Sequence, residues 1–214
     1  MIGGIDMKQL KLVLSSRNKH KIREFSEMLS DYFDGVTLLS LDEVGLYDDV
    51  EENGASFEEN ALIKAKYAAK SGYIAFADDS GLVVPALNGE PGIHSARYAG
   101  EHGDDAANRA LLLENLGKSP YREAAFVCAI ACVLPNGDSF AVKGAVKGEI
   151  LCYERGEGGF GYDNLFWYDP LAMSFAEMSP EEKNSVSHRR NALDAFARVL
   201  ASTLGIELKR RNNE

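Results

Sequence analysis

The first apolar run, KLVL at Lys11 to Leu14, is followed by the polar stretch SSRNKHK, after which the apolar spacing changes. Ile22, Phe25, Met28 and Leu29 recur three and four residues apart, which predicts a strand, a loop and then a helix. Ser56 and Glu59 have the spacing of a capping box, and Phe57, Ala61, Ala65, Ala68 and Ala69 form the stripe of a second helix that Gly72 can end. YIAFA predicts a strand ending at Asp78 and Asp79, and GLVV predicts another short strand. Leu111 to Leu116 belong to a third helix whose start is not marked. EAAFVCAIACVLP and SFAVKGAVKGEIL flank Asn136-Gly137, a pair that predicts an antiparallel hairpin with a type I′ turn. A last amphipathic helix follows Ser187, with Leu193, Phe196, Ala197 and Leu200 inward. This order of elements predicts an α/β fold with a mixed sheet.

Composition narrows the function. The chain has 214 residues, of which 45% are hydrophobic, enough for one domain or for two lobes sharing a sheet. No repeat or linker divides it, so residues 1–214 are read as one domain, with residues 1–9 and 208–214 peripheral. A net charge of -10 argues against nucleic acid as a partner, because a phosphate backbone needs many cationic contacts. A small phosphate ester stays open, since a few local cations and a metal ion outweigh the global charge at short range. Cys128, Cys132 and Cys152 are odd in number, lack a Cys-x-x-Cys spacing and fall in segments that read as buried strands, which fits a reducing cytoplasm. The opening MIGGIDMKQLKLVL does not read as a signal peptide, and no run of about 18 apolar residues predicts a membrane span.

Four stretches carry candidate chemistry. SSRNKHKIRE leads from a strand into a helix, where free N–H groups and the positive end of the helix dipole suit an anion; Ser16, Asn18 and Lys21 would line that site. An ordinary N-cap with exposed lysines would look the same. Asp78-Asp79 can either place a carboxylate in a cleft or make an Asx turn with Ser80-Gly81. A polyphosphate site generally needs Mg²⁺, which one or two carboxylates can hold, so one of the Asp78-Asp79 pair could serve, with Glu51 or Glu52 ahead of the second helix supplying the other ligand. GEGGFGYD is glycine-rich, and its Phe160 and Tyr162 can offer a flat face to a base; a loop pinned by two aromatics is the alternative. EEKNSVSHRR gathers Lys183, His188, Arg189 and Arg190 at a helix start, where cations oppose the dipole, which suggests an anion or a carbonyl-bearing base as partner.

SSRNKHKIRE, SFEENALIKA, ADDSGL, PGIHSARYAG, GGFGYD and EEKNSVSHR, in this order from about Lys11 to Leu200, resemble the inosine triphosphate pyrophosphatases. The first stretch has that family's Ser/Thr-x-Asn-x-x-Lys-x-x-Glu pattern, with Arg17 where many members carry Gly. The resemblance implies an elongated mixed β-sheet with flanking helices forming two lobes around a central cleft, and a homodimer. It also implies hydrolysis of ITP, dITP and XTP to the monophosphate and pyrophosphate. Ser16, Arg17, Asn18, Lys19, His20 and Lys21 would hold the polyphosphate, helped by Lys64 and Lys183. Asp79 would accept a proton and bind Mg²⁺ with Glu51, and Ser80 would touch the substrate. Phe160, Gly161, Tyr162, Asp163, His188 and Arg189 would form the base pocket. A related pyrophosphatase for pyrimidine or modified nucleotides, and a non-catalytic nucleotide sensor, are the rival readings.

Overall fold

The computed structural model describes residues 10–209. Among these described residues, seven strands form one mixed sheet in the order β2-β1-β3-β4-β5-β6-β7. These are β1 Lys11–Leu14, β2 Thr37–Leu39, β3 Ile74–Val83, β4 Glu123–Val133, β5 Ser139–Ile150, β6 Phe166–Tyr168 and β7 Met173–Ser174. The helices are α1 Lys19–Ser30, α2 Phe57–Ala68, α3 Asp105–Leu116, α4 Pro180–Val186 and α5 His188–Leu204. β1 runs parallel to both β2 and β3, whereas β6 is antiparallel to β5 and β7. No helix among the described residues is long and apolar enough to cross a membrane.

By its contacts the chain divides into two compact units, one of residues 10–79, 129–143 and 192–209, the other of residues 80–128 and 144–191. In the first, Phe76 on β3 meets Phe25 of α1 edge-on at 5.6 Å and Phe196 of α5 at 4.9 Å. All three rings are fully buried, each worth about 1.5–3 kcal/mol relative to exposure. α2 packs through small residues, with Ala61 and Ala65 against Ala77, Ala131 and Val133, so its backbone lies close to the strands. In the second unit Phe126, Phe166 and Phe175 form an aromatic centre, with ring separations from 4.6 to 5.8 Å.

Several expectations are corrected. YIAFA and GLVV are one ten-residue strand, so Asp78 and Asp79 lie inside β3 and make no Asx turn. Tertiary partners satisfy both carboxylates there, which removes the need for a bend. Ser56 does cap α2, accepting from the Glu59 N–H, but the Glu59 carboxylate reaches past it to the Ala55 N–H at 2.7 Å, so the reciprocal box is not closed. The hairpin turn is not type I′, which needs positive φ at both central residues; only Gly137 has it, at 92°. Pro135 favours a type I turn, and Gly137 supplies the left-handed residue after it. The start of α3 is set by Asp104, whose side chain accepts from the Ala107 N–H. EEKNSV is a separate helix with its own capping box, Ser179 with Glu182, while Ser187 caps α5 as expected by accepting from the Arg190 N–H. Cys128 and Cys132 are buried, but Cys152 is exposed beyond the end of β5. Lys209 is tied to the end of α1 and the turn after it, donating through Nζ to the Ser30 carbonyl and through its backbone N–H to that of Tyr32. Residues 1–9 and 210–214 lie outside the described part.

Candidate active site

In the first unit the alternation of β3 sends its two acids to different helices. Asp78, 2% exposed, is paired through Oδ1 with the Lys21 ammonium of α1 at 2.6 Å. Asp79 faces α2, where Lys64 Nζ donates to Oδ1 at 3.2 Å and Asn60 Nδ2 to Oδ2 at 3.2 Å. Lys64 also donates to Glu52 Oε2 at 2.9 Å, so two carboxylates share one ammonium. Burial, reinforced by the charge of Glu52, pushes the Asp79 carboxyl above the ordinary aspartate value despite the pull of Lys64 and Asn60. Burial disfavours the Lys64 charge, but Asp79, Asp78 and Glu52 outweigh it and hold the lysine above its ordinary value. An acid kept short of positive charge in a part-buried position is a competent proton acceptor and a place for a further cation.

Mg²⁺ fits this arrangement. No cluster of three or more His, Cys, Asp or Glu stands ready as a complete metal cage among the described residues. Mg²⁺ does not need one, since it takes one or two carboxylates and fills its octahedron with water and phosphate oxygens. Of the two acids offered as second ligand, Glu52 shares Lys64 with Asp79; Glu51 is exposed and lies outside that pair.

The loop before α1 is an N-cap as well as a set of donors. Asn18 Oδ1 accepts from the Lys21 N–H at 3.2 Å, and Ser16 Oγ accepts from the Asn18 N–H at 3.1 Å. Lys19 is exposed at the first turn, and the His20 side chain lies outside the described residues. Arg17 is engaged elsewhere: its guanidinium donates to Asp42 Oδ1, Asp49 Oδ1 and the carbonyls of Leu46 and Asp48 at 3.0–3.3 Å. It staples the loop ahead of Glu52 and does not point free toward an anion.

The second unit holds a cavity of about 140 Å³. Ser80 and Leu82 of β3, Phe126, Asp163, Lys183 and the His188-Arg189 pair are among its walls. The Ser80 hydroxyl is enclosed there without a hydrogen-bond partner among the described residues. His188 is 7% exposed and stacks on Phe126 at 5.0 Å with the planes 19° apart. Phe160 is 64% exposed, and the Lys183 ammonium sits 4.5 Å from its ring centroid. Lys183 also donates to Asp163 Oδ2 at 2.5 Å, and the same oxygen accepts from the Phe160 N–H at 2.8 Å. Tyr162 also lines this cavity, but it is 4% exposed and donates its hydroxyl to the Ser95 carbonyl at 2.9 Å, so of the two expected rings Phe160 is the one open to solvent.

The glycines of this loop serve the protein's own contacts. A Cβ on Gly159, at φ 72°, would lie 2.2 Å from Asp163 Oδ2, and one on Gly156 would lie 2.6 Å from the Ala176 backbone. Two contributors escaped sequence reasoning, Asp105 and Arg109 of α3. Asp105 Oδ2 accepts from the Gly161 N–H at 2.7 Å, and Arg109 Nη1 donates to the Gly161 carbonyl at 3.0 Å. Their four-residue spacing on one helix face was the available signal.

The chain is similar to known proteins over most of its length. The model of the Ham1 family matches residues 12–199. A Mycobacteroides abscessus protein named dITP/XTP pyrophosphatase is 48% identical over 201 residues, 92% of this chain and 98% of that protein. A Geobacter sulfurreducens protein of the same name is 50% identical over 188 residues, 86% of this chain and 92% of that one. Among solved structures, the Staphylococcus aureus Ham1 protein superimposes with a TM-score of 0.83 at 43% identity, over 90% of this chain and 99% of its own. A Coxiella burnetii HAM1 protein gives 0.84 at 40% identity, over 91% and 100%.

Proposed function

Because this chain belongs to the Ham1 family, we propose that it hydrolyses the non-standard purine nucleotides ITP, dITP and XTP at the α–β phosphate bond, with Mg²⁺ as cofactor, and so cleanses the nucleotide pool. The names and coverage of the relatives support the substrate class. The observation that carries the chemistry is Asp79, a part-buried carboxylate whose pKa is pushed up and which shares its one ammonium with Glu52.

The N–H groups at the start of α1, Lys21 and Lys64 bind phosphate oxygens. Asp79 and Glu52 would hold Mg²⁺, which supplies charge neutralisation on the triphosphate when bound. Asp79 takes the proton of the water that attacks the α-phosphorus, and pyrophosphate leaves with the electrons of the broken P–O bond. The base goes to the pocket of Phe160, His188 and Arg189. Arg189 donates to the 6-oxo group of hypoxanthine or xanthine, whereas the 6-amino group of adenine meets donor with donor; guanine shares the 6-oxo group, and it is refused through its 2-amino group, which the pocket excludes or leaves unpaired.

The test is an initial-rate comparison of ITP, dITP, XTP, GTP, ATP and UTP with Mg²⁺, assaying pyrophosphate and orthophosphate separately. Fast pyrophosphate release from the first three alone is expected. Orthophosphate as the direct product would move the attack to the γ-phosphorus, a preference for UTP would replace the base logic, and tight binding without product would make the protein a sensor. A cytoplasmic homodimer belongs to the same proposal. Light scattering should then return twice the 23.4 kDa chain mass, and a single chain mass would remove the dimer.

A further inference from the structure

Phe160 is an exposed aromatic ring on a loop whose neighbouring positions are all tied down. The Phe160 N–H is on Asp163, the Tyr162 hydroxyl is on Ser95, and Gly159 lies flush against the Asp163 carboxylate. The residue between them, Gly161, has φ 60° and no side chain, so only its peptide groups can be gripped. α3 grips both, with Asp105 taking the N–H and Arg109 donating to the carbonyl. Arg109 is itself braced by Glu154 Oε1 at 2.8 Å, and Glu154 Oε2 accepts from Asn164 Nδ2 at 2.7 Å.

From this clamp we propose that Asp105 and Arg109 are positioning residues for the base pocket: they hold the Gly161 peptide and thereby set Phe160 in place before the nucleotide arrives. The inference rests on the nucleotide reading above, since it assigns the clamp to base binding. Asp105 is not needed to begin its own helix, because Asp104 already caps α3. Its carboxylate instead reaches across 56 positions of sequence to the loop. A ring already held in its binding orientation loses less freedom when a base stacks on it, so the clamp acts on affinity and leaves the bond-breaking step alone.

The experiment compares Asp105→Ala and Asp105→Asn with the wild type. Asp105→Ala should raise the KM for ITP about tenfold, the equivalent of one lost hydrogen bond to a charged group, with kcat within about twofold. Inhibition by pyrophosphate, which has no base, should not change. Asp105→Asn keeps an oxygen that can accept from Gly161 and should restore the KM. If Asp105→Ala leaves the KM unchanged, or weakens pyrophosphate and ITP alike, the positioning role is overturned. If Asp105→Asn fails to rescue and shifts the ratio of ITP to GTP hydrolysis, Asp105 contacts the base itself and the clamp is again the wrong account. A wild type that hydrolyses none of these nucleotides sinks the functional reading, which is a different result from an active wild type with an indifferent Asp105→Ala.

Discussion

Asp79→Asn should lower kcat for ITP by about 10²- to 10⁴-fold, the usual contribution of a positioned general base, while the nucleotide still binds. Asn keeps the size of the side chain and one oxygen, which can still receive the Lys64 ammonium, while its amide nitrogen replaces the Oδ2 that accepted from Asn60; one long hydrogen bond is lost without a change of volume around α2 and β3. What it lacks is the capacity to accept a proton. The wild-type carboxylate has that capacity in a tuned form, since burial and the neighbouring charge of Glu52 raise its pKa without removing Lys64. Single-turnover assays with a separate measure of ITP binding decide the matter. Turnover within a few-fold of wild type would take Asp79 out of the chemistry, and loss of binding with no loss of kcat would leave it as a substrate ligand.

The second large effect is expected at Lys183→Met. Asp163 is 3% exposed and depends on the Lys183 ammonium at 2.5 Å, so the substitution leaves a buried carboxylate without its counter-charge. Removing one partner of such a pair destabilises by about 3–5 kcal/mol, because the desolvation cost of the other remains. The same change takes the cation off the Phe160 ring, so the KM for ITP should also rise. Urea denaturation reads the first consequence and steady-state kinetics the second. The double variant Lys183→Met with Asp163→Asn removes both charges and should recover a large part of the lost stability. A double variant as unstable as the single one would show that the buried carboxylate is not the cause.

Much of the candidate site could be named from the sequence because its residues are compact along the chain. Ser16 to Lys21, Asp78 to Ser80, Phe160 to Asp163 and His188-Arg189 each stand on one turn or strand, so their local pattern announces them. The apolar faces of α1, α2 and α5 were equally legible, as Phe25, Leu29, Ala61, Ala65, Phe196 and Leu200 are all fully buried. Other parts were not. Asp, Ser and Gly are turn-formers by local propensity, and ADDSG therefore reads as a bend; only Lys21, Lys64 and Asn60, brought in from two helices, make a straight strand affordable there. Arg17 falls in the loop that the family resemblance assigns to the polyphosphate, and its attachment to Asp42, Leu46, Asp48 and Asp49 depends on contacts 25 to 32 residues away.

The division has one physical reason. Sequence by itself determined what depends on neighbours within a turn or two: the strand at Lys11, the amphipathic helices, the caps at Ser56 and Ser187, and the residue types able to bind phosphate, metal and base. Tertiary structure decided how those groups are paired. It set Glu52 rather than Glu51 beside Asp79, turned Tyr162 into the core while leaving Phe160 open, and brought Asp105 and Arg109 to Gly161. Pairings of this kind arise from chain segments far apart in sequence, and their energies come from burial and counter-charge that exist only once the sheet has formed.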